Sequence, residues 1–184
     1  MLSPLKSVIS DILSPLTKFI VKTGVKPNHL TFLGLLTGFF SAYLIALGQL
    51  MLGGVFILVS GFFDMLDGAL ARSQVLVSEF GGFLDSVFDR YVDVAIFIAL
   101  GIYGVNWLYV ALAMSGALLV SYTRARAEKV IEKCDVGIAE RGERLIVIFV
   151  GIATNYIEPA IVIVAVLSHL TALHRVLYTY GKLK

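Results

Sequence analysis

Four aspartates carry the chemistry that this chain can do. They stand as Asp64-x-x-Asp67-Gly68-x-x-Ala71-Arg72 and, eight residues later, Gly81-x-x-x-Asp85-x-x-x-Asp89. Asp64 and Asp67 are three apart and Asp85 and Asp89 four apart, so each pair shares one face of a helix. The connection between the pairs is short, which makes the two helices antiparallel neighbours and lets four carboxylates converge. An acid inside a membrane helix costs about 2.5–3.5 kcal/mol on insertion scales, and four together repel one another at reduced dielectric. Divalent cations with oxygen ligands remove that repulsion. Mg²⁺ or Mn²⁺ suits such a site, because Cys134 is the lone cysteine and His29, His169 and His174 are scattered. Two ions bridged by shared carboxylates, about 3.5–4 Å apart, are the arrangement that phosphoryl-transfer sites use.

Gly68 and Gly81 let a phosphate or nucleotide approach the backbone closely. Ala71 is similarly small, and Arg72 can pair with a phosphate or a base edge. Two other uses of the acids compete with catalysis. Buried ion pairing with Arg72 and Arg90 falls short on number, since two arginines would face four acids plus Asp93. A divalent-cation transport pathway would want the acids at the bilayer midplane, whereas here they fall near one face.

The elements that must position these residues are membrane helices. The hydrophobic fraction is 58% and the mean hydropathy +0.89, well beyond a soluble domain. The 184 residues make one all-α membrane domain, 1–184. Spans need roughly 20 residues each, and six are predicted at 28–48, 51–72, 81–104, 107–132, 140–158 and 159–180, forming a bundle over 28–180. Ahead of them, Leu5, Val8, Ile9, Ile12, Leu16 and Ile20 recur at helical spacing opposite Lys6, Lys18 and Lys22. Residues 1–24 therefore read as an amphipathic interfacial helix kinked at Pro15, with no cleavable leader. All 15 Lys and Arg fall at one side of the six-span arrangement. The turns around Gln49, Asn106 and Asn155 carry none, so both termini and the aspartates are expected on the cytoplasmic face of the cell membrane. The net charge of +2 is too small to suggest nucleic acid.

The run from Asp64 to Asp89 resembles the signature of the CDP-alcohol phosphotransferases, six-helix membrane enzymes, at all eight of its fixed positions. The resemblance implies attack of an alcohol on the β-phosphorus of a CDP-linked lipid, with CMP leaving. It implies that Asp64, Asp67 and Asp85 ligate metal, and that Asp89 is the general base and a further ligand. Gly68, Arg72 and Ser78 would line the nucleotide pocket. Asn28 and Thr31, in Pro27-Asn28-x-x-Thr31, would join it, although Asn28 could equally cap the first span.

Two later runs bear on the acceptor. Ser121-Tyr122-Thr123-Arg124-Ala125-Arg126-Ala127-Glu128 and Ile138-Ala139-Glu140-Arg141-Gly142-Glu143-Arg144 resemble the acceptor site of the family's phosphatidylinositol phosphate synthases and their archaeal-lipid counterparts. Gly142 stands where a proline is common in bacterial members. Thr171-Ala172-Leu173-His174-Arg175 is similar to their last-helix segment. By that resemblance Ser121, Arg124, Arg126, Arg141 and Arg175 bind the acceptor's phosphate, for which guanidinium forks are well matched. Arg124 and Arg126, two apart, cannot both face one cavity of a regular helix. Inositol 1-phosphate is the expected acceptor and glycerol 3-phosphate the runner-up. CDP-diacylglycerol or CDP-archaeol is the expected donor, and the family's habit is a homodimer.

Overall fold

A computed structural model describes residues 15–17, 20–21, 24–74 and 78–184. Six helices follow one another: α1 Pro27–Ala46, α2 Leu50–Gln74, α3 Glu79–Tyr103, α4 Trp107–Ala127, α5 Arg141–Ala153 and α6 Ile157–Leu183. Their starts and stops have local causes. Lys26 takes the N-cap of α1 with Pro27 as its first residue, where a missing N–H costs nothing. Asn28 is therefore not the cap. Ser78 Oγ accepts from Gly81 N at 2.9 Å to cap α3, and Asn106 Oδ1 accepts from Leu108 N at 2.9 Å to begin α4. Gly104, at φ 125°, closes α3, a backbone region that favours glycine.

The helices pack as a closed ring in the order α1, α2, α5, α6, α4, α3 and back to α1. Ile45, Ile57, Leu100, Ala113 and Ile161 are fully buried at its centre. Small residues bring the backbones close, as is usual between membrane helices. Ser41 Oγ donates to Gly53 O and Ser60 Oγ to Gly34 O, each at 2.8 Å. A Cβ on Gly38 would come within 2.5 and 2.6 Å of the two γ-carbons of Val92, so the backbone of α1 rests there directly on the Val92 side chain of α3. The outward faces are apolar: Phe32, Leu36 and Phe40 on α1 and Leu170, Leu173 and Leu177 on α6 are all exposed. Such a surface belongs in lipid, and the chain is a membrane protein.

Four helices are long and apolar enough to cross a bilayer: Pro27–Ala46, Leu50–Arg72, Trp107–Ala127 and Ile157–Leu183. Six such spans were expected from the sequence. The third predicted span exists as α3, but its acids and Arg90 lower its hydropathy. The fifth is shorter than predicted. α5 has 13 residues, about 20 Å at 1.5 Å per residue, because the chain turns at Thr154–Tyr156 with Asn155 at φ 61°. Pro159 does not make the break; it sits in the first turn of α6, where its ring is tolerated. The fourth span stops at Ala127, leaving 128–140 as a non-helical connection. Most of the interfacial helix expected over 1–24 lies outside the described residues. Residues 15–17 and 20–21 are helical, with Ile20 packed against the cluster of Leu30, Leu66, Ala69 and Leu70.

Candidate metal and phosphate site

The cavity that matters opens where α2 ends and α3 begins. It measures about 420 Å³ and is lined from α2 (Asp64, Asp67, Gly68, Arg72), α3 (Asp85, Ser86, Asp89, Arg90, Asp93), α4 (Val120, Ser121, Arg124), the start of α5 with its cap (Glu140 to Arg144) and α6 (Arg175). Five of the six helices thus contribute to it, as the ring order allows.

At its base the carboxylates of Asp64, Asp67 and Asp85 each offer an oxygen within 4.8 Å of the others. Thr31 Oγ1 donates to Asp67 Oδ2 at 2.6 Å, fixing one carboxylate from α1. A second void of about 10 Å³, the size of one water or ion, touches Thr31, Asp64, Asp67, Asp85 and Asp89. Among the described residues neither Asp67 nor Asp85 meets a basic side chain within ion-pair distance. An all-oxygen, anionic trio in which only Asp64 meets an arginine fits a hard divalent ion and not zinc.

Asp89 stands apart from that trio. Its Oδ1 lies 2.7 Å from Arg141 Nη1 and its Oδ2 3.7 Å from Arg90 Nη1. Arg141 Nη1 is also 2.9 Å from Asp64 Oδ2, held between the two carboxylates without a directed hydrogen bond to either. Its Nε donates to Asp93 Oδ1 at 3.4 Å. Arg144, 4% exposed, donates from Nη2 to Asp93 Oδ2 at 2.7 Å and from Nη1 to Ala139 O at 3.0 Å. This corrects the sequence-based charge count, which set only Arg72 and Arg90 against the acids. Two further arginines arrive from α5, some 50 residues away in the chain. Even so, five carboxylates meet three guanidiniums, which leaves charge for a divalent ion to neutralise.

The remaining predicted residues fall in three places. Gly68 and Arg72 line the cavity, and a Cβ on Gly68 would meet the Arg72 guanidinium at 3.3 Å. Ser78 and Asn28 lie instead at Gly81, where a Cβ would come within 2.7 Å of Ser78 Oγ and 3.0 Å of Asn28 Oδ1. Gly81 thus leaves room for the α3 cap and for Asn28 of α1, a reason its motif does not reveal. Ser121 and Arg124 line the cavity, while Arg126 is exposed and is not part of that lining. Arg124 pairs with Glu128 at 3.0 Å and Asp135 at 3.3 Å. Arg175, 2% exposed, donates from Nε to Val136 O at 2.8 Å and from Nη1 to Val120 O at 2.6 Å. Asp93 and Arg144 were absent from the predicted site; only the i, i+4 step from Asp89 to Asp93 marked the first.

A family model described as CDP-alcohol phosphatidyltransferase matches residues 25–176. The chain is 39% identical over 178 residues to the archaetidylinositol phosphate synthase of Pyrococcus horikoshii, covering 96% of this chain and 95% of that one. The crystal structure of the Mycobacterium tuberculosis phosphatidylinositol phosphate synthase with CDP-DAG bound superimposes with a TM-score of 0.81 at 27% identity, over 92% of this chain and 94% of the other. The same enzyme in complex with manganese and citrate gives a TM-score of 0.80 at 27% identity, over 90% and 88%.

Proposed function

The chain belongs to the CDP-alcohol phosphatidyltransferase family, and from that premise we propose that it transfers the phosphatidyl-type group of a CDP-linked lipid to inositol 1-phosphate, releasing CMP. One observation carries the reading: a trio of carboxylates, of which only Asp64 meets an arginine, opens into a cavity whose other walls bear arginines from α2, α4, α5 and α6. Metal-bound diphosphate at one end and a second phosphate at the other is the pair of ligands this charge pattern suits. Relatives that the chain matches over nearly their whole length are archaetidylinositol phosphate synthases, which favours that acceptor over glycerol 3-phosphate. Membership of a transferase family likewise favours catalysis over cation transport.

Asp64, Asp67 and Asp85 would hold Mg²⁺ or Mn²⁺, and a second ion would draw on Asp89. When bound, the metal neutralises the donor's diphosphate and the departing CMP. Asp89 receives the proton of the acceptor hydroxyl at a carboxylate oxygen, and Arg141 keeps that carboxylate turned toward the trio. Gly68 leaves the backbone open to the cytidine end of the donor, and Arg72 pairs with its phosphates. Ser78, at the start of α3, and Asn28 and Thr31 on α1 shape the approach, Thr31 through Asp67. Ser121 and Arg124 meet the acceptor's phosphate from α4, and Arg141 and Arg175 from the facing wall, whereas Arg126, outside the cavity, is left to the lipid headgroups. The donor lipid is CDP-diacylglycerol or CDP-archaeol. In this reading α3 and α5 also lie in the bilayer, giving six spans with both termini and the site cytoplasmic, and the working unit is a homodimer.

The test is a panel of acceptors offered to the purified protein with CDP-lipid and Mn²⁺, the lipid products being weighed by mass spectrometry. Product from inositol 1-phosphate is expected. Product from glycerol 3-phosphate alone would replace this acceptor assignment. Metal flux into vesicles without any nucleotide would overturn the enzyme reading.

A further inference from the structure

Among the carboxylates of the described residues, Glu143 alone has both side-chain oxygens withdrawn from solvent and bonded to nothing. Its position gives it an easy partner that it does not take. Glu140 is the N-cap of α5, and Glu143 is the third residue of the helix. A glutamate there ordinarily reaches back to the N-cap N–H and closes a capping box. No such bond forms in α5, and no arginine comes within ion-pair distance, although Arg141 and Arg144 flank it in sequence. Glu143 instead lines the 420 Å³ cavity. Burial of a carboxylate without partners is costly, so donors from a bound molecule would relieve it.

The chemistry of those donors can be narrowed. A phosphate has only acceptors and a negative charge, and would be repelled. Hydroxyl groups donate, and two on adjacent carbons can engage both oxygens of one carboxylate. Once glycerol 3-phosphate has committed its reacting hydroxyl, it retains a single one. Inositol 1-phosphate in the same position retains several, including adjacent pairs.

Resting on the function proposed above, we infer that Glu143 is a specificity-determining residue whose carboxylate accepts hydrogen bonds from ring hydroxyls of a polyhydroxylated, phosphorylated acceptor. It takes no part in holding the phosphate or the metal, and it discriminates a cyclic polyol phosphate from a short one by the bonds left unmade with the wrong ligand.

Glu143→Leu and Glu143→Gln test this. The preference for inositol 1-phosphate over glycerol 3-phosphate, as a ratio of kcat/KM, should fall about 10- to 100-fold in Glu143→Leu, as expected for losing hydrogen bonds to a charged acceptor. Glu143→Gln, which keeps one acceptor oxygen, should fall less. The KM for CDP-lipid and the affinity for Mn²⁺ should stay unchanged in both, whereas a merely structural glutamate would move them together with the preference. An unchanged preference in Glu143→Leu, with wild-type protein still favouring inositol 1-phosphate, overturns this inference alone. Wild-type protein that uses glycerol 3-phosphate and not inositol 1-phosphate removes the acceptor assignment and this inference with it.

Discussion

At the scale of single residues, Arg141 shows how charge is balanced in a place where water cannot do it. One guanidinium touches Asp64, Asp89 and Asp93. Removing one partner from a buried ionic group costs about 3–5 kcal/mol, because the other charges remain behind. Arg141→Gln is therefore expected to lower the thermal midpoint of the metal-free protein, and Mn²⁺ should recover more of the loss than it adds to wild type. A variant as stable as wild type without metal would show that the acids are balanced elsewhere. The acids themselves could be read from the sequence, since i, i+3 and i, i+4 spacing is local. The pairing of Asp93 with Arg144 could not, because it joins α3 to α5 across 51 positions. The same limit hid the second neighbour of Gly81, Asn28 from another helix.

Among the elements, the connection 128–140 decides where α5 begins. It is tied to α6 by two residues one turn apart. Thr171 Oγ1 accepts from Ile138 N at 3.1 Å and Ala139 N at 3.0 Å, and Arg175 holds Val136 and Val120 by their carbonyls. Thr171→Val keeps the shape and orphans two N–H groups, at a cost of about 1–3 kcal/mol if each must be buried unpaired. The expected result is a lower thermal midpoint with faster amide exchange confined to 136–140. Exchange that rises evenly over the bundle would argue against a local tie. Hydropathy predicted a fourth helix running to residue 132 because it sees no hydrogen bonds. The early stop at Ala127 belongs to this tie, in which Arg175 commits Nε and Nη1 to backbone carbonyls while its side chain still lines the cavity.

For the whole molecule, the basic residues gather at the end of the ring where the cavity opens, and the opposite turns carry none. If the cavity end faces the cytoplasm, as proposed, a cysteine placed at exposed Thr154 should react with an impermeant maleimide in intact cells, and one at exposed Lys184 only after lysis. Cys134 is fully buried and leaves the background clear. The reverse pattern would invert the topology. The six helices over 27–183 and their order were legible from apolar runs and breaks. The closed ring was not, because hydropathy marks which residues avoid water and not which helix faces which.

The bare contact of Gly38 with Val92 sets a gauge. Val92 lies one turn beyond Asp89 on α3, so the thickness of this joint governs how far α3 stands from α1 and, through Thr31, from Asp67. Alanine in place of Gly38 favours the helix by about 0.5–1 kcal/mol but forces apart a full joint at about 1–3 kcal/mol, so wedging wins. The damage should surface as looser Mn²⁺ retention in Gly38→Ala, at a distance from any group that touches the ion: in this bundle a missing methyl is part of the metal's fit.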